Sequence, residues 1–268
     1  MAMLKIDNGV KIFNLSGHED DKRIAMNHMN LEINEGDWVT IIGGNGSGKS
    51  TLMNIISGVH MLDEGHVYID GEEVTKLSEH KRAKYLGRVF QDPNMGTAGM
   101  ISIEENMSIA SRRMKKKTLK WGFKKEHREN YRELIKSLNL GLEDRLLQKV
   151  GLLSGGQRQA ITLLMATLEN PKILLLDEHT AALDPKTAKI VLDITEKIVT
   201  KNKITTLMIT HNMRDAIKYG NRLIMLDAGK VVLDISGEEK EKLTIEDLLR
   251  KFDENSDMVM DDKLILSK

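Results

Sequence analysis

Two patterns of apolar residues divide the chain. Residues 3–13 alternate between apolar and polar positions and predict a strand. Short apolar runs predict further strands at 31–33, 38–42, 88–90, 173–176, 205–210, 222–226 and 230–234. Between 92 and 148 such runs disappear, and apolar residues recur with a helical period at Tyr131, Leu134, Ile135 and Leu138. The pattern therefore predicts an α/β fold with a helical segment inserted in it.

Helix and turn signals refine these boundaries. Helices are predicted at 50–57, 186–200 and 212–218. Gly58 is suited to end the first of them, and the pair Asp70-Gly71 predicts a hairpin turn. A last helix is predicted to begin after Thr244 as its N-cap. Asp247 would then occupy the third helical position, where a carboxylate interacts favourably with the helix dipole.

Composition narrows the class of protein. The 268 residues carry 40 Lys and Arg against 40 Asp and Glu, so net charge predicts no general affinity for nucleic acid or membranes. The absence of cysteine excludes disulfides and thiolate metal sites. No apolar run reaches the roughly 20 residues of a spanning helix, and the N-terminus has no stretch of signal-peptide length. We expect a soluble chain whose membrane role would come through a partner.

A glycine-rich motif, the P-loop, follows the predicted strand at 38–42. It matches the pattern G-x-x-x-x-G-K-[ST], with phosphate-binding candidates at Gly43, Asn45, Gly46, Ser47, Gly48, Lys49, Ser50 and Thr51. Glycines let the backbone curl so that several N–H groups face a phosphate, and Lys49 adds a positive charge. The Ser50 hydroxyl is suited to Mg²⁺. The alternative is a glycine-rich turn before a helix, which the lysine, the serine and the flanking elements disfavour.

Two acids end the apolar run at 173–176. Asp177 is predicted to lie at the carboxyl end of a buried strand, where it is suited to hold Mg²⁺ through water. Glu178 points elsewhere and is a candidate general base for the attacking water. The alternative is an acidic helix cap after a strand, which the preceding P-loop makes the minority interpretation.

A second phosphate-binding motif lies between the P-loop and the acids, although a nucleotide needs only one for binding. Leu153-Ser154-Gly155-Gly156-Gln157 is suited to present backbone amides to an anion at the start of a helix. With this motif, residues 3–235 resemble the nucleotide-binding subunit of an ATP-binding cassette (ABC) transporter. The resemblance implies ATP hydrolysis at the interface of two subunits. The second motif of one copy would close over the γ-phosphate held by the other, with binding residues Ser154, Gly155, Gly156 and Gln157.

The resemblance also assigns residues outside these motifs. Phe13 matches the aromatic residue that stacks on adenine, with a core phenylalanine as the alternative. Gln91 matches the glutamine that contacts Mg²⁺ or the water and senses the membrane partner. Asp184 matches the loop that crosses the dimer interface. His211 matches the switch histidine that contacts the γ-phosphate, with a structural histidine as the alternative. The implied catalytic residues are Lys49, Gln91, Glu178 and His211, and the implied metal ligands are Ser50, Gln91 and Asp177.

The resemblance implies a P-loop NTPase (RecA-like) core with an antiparallel β subdomain and an inserted helical subdomain. We predict the core and β subdomain at 1–91 and 160–235, the helical subdomain at 92–159, and a C-terminal helix and tail at 236–268. The implied cofactors are ATP and Mg²⁺. The implied partners are a second copy of the chain, membrane permease subunits and, indirectly, an extracytoplasmic substrate-binding protein. The implied location is the cytoplasmic face of the cell membrane.

Three departures from the family pattern resemble a narrower branch. His179 stands where proline is usual after the acids, and the segment 92–100 lacks the usual bulky residue and second proline. The helix after the second motif lacks the common Ala-Arg-Ala step. Together with the segment 243–249, these departures resemble the tryptophan/tyrosine-type import ATPases that work with a lipoprotein binding protein. We therefore predict ATP-driven import through separate permeases, with aromatic amino acids as the candidate cargo.

The sequence leaves two alternative functions and the role of one surface undecided. A soluble cassette ATPase could act in cofactor assembly or on nucleic acid, and a P-loop phosphotransferase could act on a small acceptor. The second motif argues against the phosphotransferase. A basic stretch at 112–128 contains Trp121 and Phe123 and is predicted to be a solvated helical face. Contact with anionic headgroups or nucleic acid is the alternative for that stretch, although we expect no nucleic-acid partner.

Overall fold

The computed structural model describes residues 2–14, 22–113 and 125–255. Two compact units make up the chain, the first from Met1–Leu86 with Ile204–Lys268 and the second from Gly87–Lys203. Most of the basic stretch (114–124) and the end of the C-terminal tail (256–268) lie outside the described residues.

An antiparallel sheet forms the first layer of the first unit. Its strands are β1 (Ala2–Asn14), β2 (Lys22–Asn34), β4 (Glu64–Ile69) and β5 (Glu72–Glu73), in the order β2-β1-β4-β5. The apolar pattern indicated only the end of β2, because register shifts along its pairing with β1 interrupt the alternation. Ala25 and Met26, for example, are both buried. The Asp70-Gly71 turn has φ values of 53° and 76°, as the hairpin prediction requires.

A second group of strands in this unit holds the P-loop. β3 (Trp38–Ile42) runs parallel to β8 (Thr205–Ile209) and β9 (Arg222–Asp227), and β10 (Lys230–Ser236) pairs with β9 antiparallel. β3 and β8 are buried at every position, which explains their continuous apolar runs. The helices of the unit are α1 (Lys49–Ser57), α2 (Glu79–Arg82), α7 (Met213–Lys218), α8 (Gly237–Glu241) and α9 (Ile245–Asn255).

The predicted helix ends of this unit are confirmed. Gly58 ends α1 with a φ of 82°, and its N–H donates to the Ile55 carbonyl. Thr244 and Asp247 form a reciprocal cap at the start of α9, in which the Asp247 N–H donates to Thr244 Oγ1 and the Thr244 N–H donates to Asp247 Oδ2. Hydrogen bonds from Thr244 lower the pKa of Asp247.

The second unit is mainly helical in its first part. Its elements are β6 (Leu86–Val89), α3 (Ile103–Ala110), α4 (Lys125–Lys136), α5 (Gly155–Thr167), β7 (Ile173–Asp177) and α6 (Pro185–Asn202), and β6 neighbours β7. From the basic stretch, Arg128 donates two hydrogen bonds of 2.6 and 2.8 Å to the buried Glu104 carboxylate. In the described residues, we find no helix with the length and apolar character needed to cross a membrane.

A buried arginine secures the end of the helix that follows the P-loop. Arg82 is 1 % exposed, and its guanidinium donates to the carbonyls of Ile55 and Ile56 at the end of α1, at 2.6 and 3.2 Å. It also donates to the carbonyls of Thr75 and Leu77. Burial lowers the pKa of Arg82 to about 10, so the side chain stays charged near neutral pH. Arg82 therefore satisfies carbonyls that a helix leaves open at its C-terminus.

We expect Arg82→Met to lower the free energy of unfolding by about 3 kcal/mol, because it removes the hydrogen bonds that a buried guanidinium donates to four backbone carbonyls. Urea unfolding measures the change. Arg250→Met is the matched control, since the Arg250 side chain is 67 % exposed and pairs with Asp247 on its own helix. A loss of the same size in both variants would contradict this role of Arg82.

Candidate nucleotide-binding site

The P-loop connects β3 to α1 through an unusual backbone. Gly43, Gly46 and Gly48 have φ values of 150°, 80° and 105°, a region that favours glycine. A Cβ on Gly43 would lie 2.3 Å from the Leu226 carbonyl oxygen, and one on Gly48 would lie 2.6 Å from the Ala25 carbonyl oxygen. The glycines are therefore needed both for conformation and for close contact with neighbouring strands.

The side chain of Lys49, the first residue of α1, lies inside the P-loop. Its side chain donates to the carbonyls of Gly43 and Gly44 at 2.7 and 2.8 Å, and the residue is 6 % exposed. The Ser47 hydroxyl is buried and has no hydrogen-bond partner within the described part of the chain. A cationic group and an unsatisfied hydroxyl in a glycine-lined loop are features that suit a phosphate.

Phe13 lies at the end of β1 and is half-buried. Its ring meets His60 edge-on with centroids 5.2 Å apart, and Lys11 Nζ lies 5.5 Å from the ring centroid. Arg23 is its cross-strand partner on β2. The Arg23 guanidinium reaches the P-loop, since a Cβ on Gly46 would lie 1.9 Å from its Nη2.

Arg23 is a candidate that sequence reasoning missed. No local motif marks it, and only the register of β1 with β2 puts its guanidinium beside the P-loop. His211 follows β8 and is half-buried. The next residue, Asn212, caps α7 by accepting from the N–H groups of Arg214 and Asp215.

The two acids lie at the end of β7 in the second unit. Arg88 Nη2 and Asp177 Oδ2 are 3.2 Å apart, and both side chains are largely buried. The Arg88 guanidinium also stacks over the Phe90 ring at 4.7 Å. Glu178 is half-buried and has a φ of 46°, the left-handed region that a residue with a Cβ rarely adopts. The chain therefore leaves the extended strand conformation between Asp177 and Glu178.

His179 is buried at 2 % exposure, and its Nε2 lies 3.1 Å from Thr195 Oγ1 of α6. Burial lowers the pKa of His179 to about 4, so the ring is neutral near pH 7. The sequence marked this residue only as a departure from proline.

The second phosphate-binding motif begins α5 as predicted. Ser154 is the N-cap: its hydroxyl accepts from the Gln157 N–H at 3.3 Å, and its own N–H donates to Gln157 Oε1 at 3.2 Å. A Cβ on Gly156 would lie 2.0 Å from Thr187 Cγ2, so this glycine lets α5 approach α6. Gly155 is exposed. The exposed start of a 13-residue helix is a suitable anion site.

Asp184 and Gln91 complete the predicted residues. Asp184 is the N-cap of α6, with Oδ1 accepting from the Thr187 N–H at 3.1 Å. Hydrogen bonds from the Thr187 side chain and backbone lower the pKa of Asp184. Gln91 is exposed. The preceding carbonyl, of Phe90, accepts from the fully buried Gln159 of α5 at 2.9 Å.

The predicted metal ligands have the right donor chemistry for Mg²⁺. Ser50 offers an exposed hydroxyl at the start of α1, and Asp177 offers a carboxylate at the end of β7. Hard oxygen donors of this kind suit Mg²⁺. In the described ranges, no three His, Asp or Glu residues cluster so that they could hold a metal.

Comparison with known proteins identifies the family. Residues 26–181 match the sequence model described as "ABC transporter". The chain belongs to the ABC transporter family. It is 46 % identical over 252 residues to a tyrosine transport ATP-binding protein of Clostridioides difficile, covering 94 % of this chain and 99 % of the relative. A phosphonates import ATP-binding protein of Oceanobacillus iheyensis is 33 % identical, over 84 % and 89 %.

The ABC fold is confirmed by solved structures. A dimeric ATP-binding cassette in a post-hydrolysis state, bound to ADP and phosphate, has a TM-score of 0.74 and 30 % identity, covering 87 % of this chain and 98 % of that one. The chain is therefore an ABC cassette with an α/β core, an antiparallel sheet and helical parts, and it is an ATPase. The phosphotransferase alternative is excluded by this assignment.

We expect Gly43→Ala to abolish ATP binding, because the new Cβ would collide with the Leu226 carbonyl and strain the loop. Equilibrium titration with a fluorescent ATP analogue measures this. Gly36→Ala is the matched control: its φ is 80°, but a Cβ there would have no atom within 4 Å. Binding by Gly43→Ala as tight as by Gly36→Ala would contradict the proposed loop geometry.

Proposed function

We propose that this chain is the ATP-hydrolysing subunit of an importer, and that it works as a homodimer on separate membrane permeases. The observation that carries the proposal is the presence in one chain of two anion sites. One is a glycine-lined P-loop around Lys49, and the other is the start of α5. The similarity to a tyrosine transport ATP-binding protein and to a phosphonates import ATP-binding protein supports transport, and import in particular. The dimeric state of a similar cassette supports the homodimer.

In this proposal each P-loop residue has a defined task. Lys49 and the backbone N–H groups of Gly46, Ser47 and Gly48 bind the β- and γ-phosphates. Asn45 and Thr51 complete the phosphate contacts, and Phe13 stacks on the adenine. Arg23 adds a second cation at the loop. Because Lys49 is held by two carbonyls, its charge is ordered before the nucleotide arrives.

Ser50, Gln91 and Asp177 would hold Mg²⁺. When bound, Mg²⁺ neutralises charge that develops on the phosphate oxygens. The Arg88 guanidinium, 3.2 Å from Asp177 Oδ2, orients the Asp177 carboxylate for contact with the metal or with a water ligand of the metal.

Hydrolysis needs a base for the attacking water and a group that contacts the γ-phosphate. We assign the first task to Glu178 and the second to His211. Ser154, Gly155, Gly156 and Gln157 of a second copy would close over the same phosphate. Asp184 would lie at that dimer interface. The start of α5 suits this task because its dipole and free N–H groups attract an anion.

We expect Glu178→Gln to retain ATP binding, to accumulate an ATP-bound dimer and to hydrolyse ATP at least about a hundredfold more slowly. The reason is that glutamine keeps the size of the side chain but cannot take a proton from water. Phosphate release and size-exclusion chromatography with ATP measure the two effects. The control is Glu196→Gln, at an exposed position on α6. Unmutated turnover in Glu178→Gln would show that another group is the base.

The helical subdomain, predicted at 92–159, is the part that we propose contacts the permease. This would place the chain at the cytoplasmic face of the membrane, with a substrate-binding protein on the far side delivering cargo. The similarity to a tyrosine transport protein supports aromatic amino acids as that cargo.

We expect the chain, co-expressed with a permease and a lipoprotein encoded in the same genome, to co-purify with its permease. In proteoliposomes, tyrosine or tryptophan with the lipoprotein should raise the ATPase rate several-fold. Methionine and a phosphonate, the cargoes named for other relatives, are the controls. Equal stimulation by these controls would contradict aromatic cargo. Stimulation by nucleic acid without co-purification would instead favour the soluble cassette ATPase.

A further inference from the structure

The segment that carries Glu178 leaves β7 in a strained conformation. Glu178 has a φ of 46°, and its carbonyl accepts from the Ala181 N–H at 2.9 Å to close a turn. A residue with a Cβ keeps such a backbone only where its surroundings hold it. The residues that hold Glu178 in this backbone conformation must therefore be packed around the turn.

His179 is the residue best placed to supply the restraint. It directly follows Glu178 and is 2 % exposed, and its Nε2 lies 3.1 Å from Thr195 Oγ1. Thr195 is fully buried in α6, and its hydroxyl donates to the Val191 carbonyl at 2.8 Å. A hydroxyl has a single hydrogen, so Thr195 can only accept from His179. The hydrogen of the ring is therefore on Nε2, and the bond runs from histidine to threonine.

This bond ties the turn to the middle of an 18-residue helix. Proline, which is usual at position 179 in the family pattern, would fix the backbone through its ring. Histidine leaves φ free, and in this chain the restraint comes through a buried side chain instead. The hydrogen bond from His179 to Thr195 therefore restrains this turn in place of the proline ring that is usual in the family pattern.

We propose that His179, held by Thr195, is a positioning residue that keeps the Glu178 carboxylate in its working orientation. The inference rests on the proposed role of Glu178 as the base. His179 itself is buried and has no part in binding the nucleotide, so its effect should fall on turnover rather than on ATP affinity.

Thr195→Val tests the bond, because valine keeps the shape of threonine and removes the acceptor. We expect kcat to fall by roughly tenfold or more, since a small displacement of a catalytic group has effects of this size. KM for ATP should stay within about twofold of the unmutated value, as expected for loss of an interaction that acts only in the chemical step. Thr195→Ser, which restores the acceptor, should recover most of kcat.

Thr167→Val is the matched control. Thr167 is a buried helical threonine in the same unit, and its hydroxyl donates to the Leu163 and Leu164 carbonyls of its own helix. We expect it to keep kcat. Equal losses of kcat in the two valine variants would overturn the inference, because they would show a general effect of removing a buried hydroxyl.

The Glu178→Gln background separates this inference from the proposed function. If Thr195 acts through Glu178, adding Thr195→Val to Glu178→Gln should lower the single-turnover rate no further. A full additional loss, or an unchanged kcat in Thr195→Val alone, would overturn the positioning role and leave the base assignment standing. Unmutated turnover in Glu178→Gln would instead overturn the base assignment. If Thr195→Val does not fold, as judged by ATP binding, Thr195→Ala takes its place with the same expected outcomes.

Discussion

The turn between β3 and α1 imposes the constraint on which the first unit depends. Three glycines adopt φ values closed to most residues, and backbone carbonyls of neighbouring strands approach two of them within the distance that a Cβ would occupy. Lys49 then fills the loop and binds two of its carbonyls. Strand packing, glycine conformation and a buried cation therefore support one another, and Arg82 secures the far end of the helix that follows.

Helix capping has a double importance in the second unit. Family resemblance assigns Ser154 to the nucleotide and Asp184 to the dimer interface, and both use their side-chain oxygens to cap helices, α5 and α6 respectively. An N-cap of this kind stabilises a helix by about 1 kcal/mol. Gly156 likewise serves packing, because Thr187 occupies the space that a side chain would need. The residues that we propose meet a second copy thus also determine how their own helices begin and pack.

The acids at the end of β7 show how much of a site depends on residues remote in sequence. The order of the acids after an apolar run indicated a metal ligand and a base. The residues that position the two acids could not be predicted from the sequence. Arg88, which contacts Asp177, comes from β6, 89 positions away, and Thr195, which is bonded to His179, lies on α6. His179 was noticeable in the sequence because proline is usual at this position in the family pattern, but its hydrogen bond to Thr195 was not predicted.

The sequence by itself determined the family, the α/β class, the P-loop, the second motif and most element boundaries. These features depend on contiguous residues, where spacing alone sets the backbone conformation or the helix end. The tertiary structure decided the half-buried setting of Phe13, the approach of Arg23 to Gly46, the full extent of β2 and the bond between His179 and Thr195. Each depends on strand register or helix packing, which bring together residues far apart in the chain, and no local pattern encodes that.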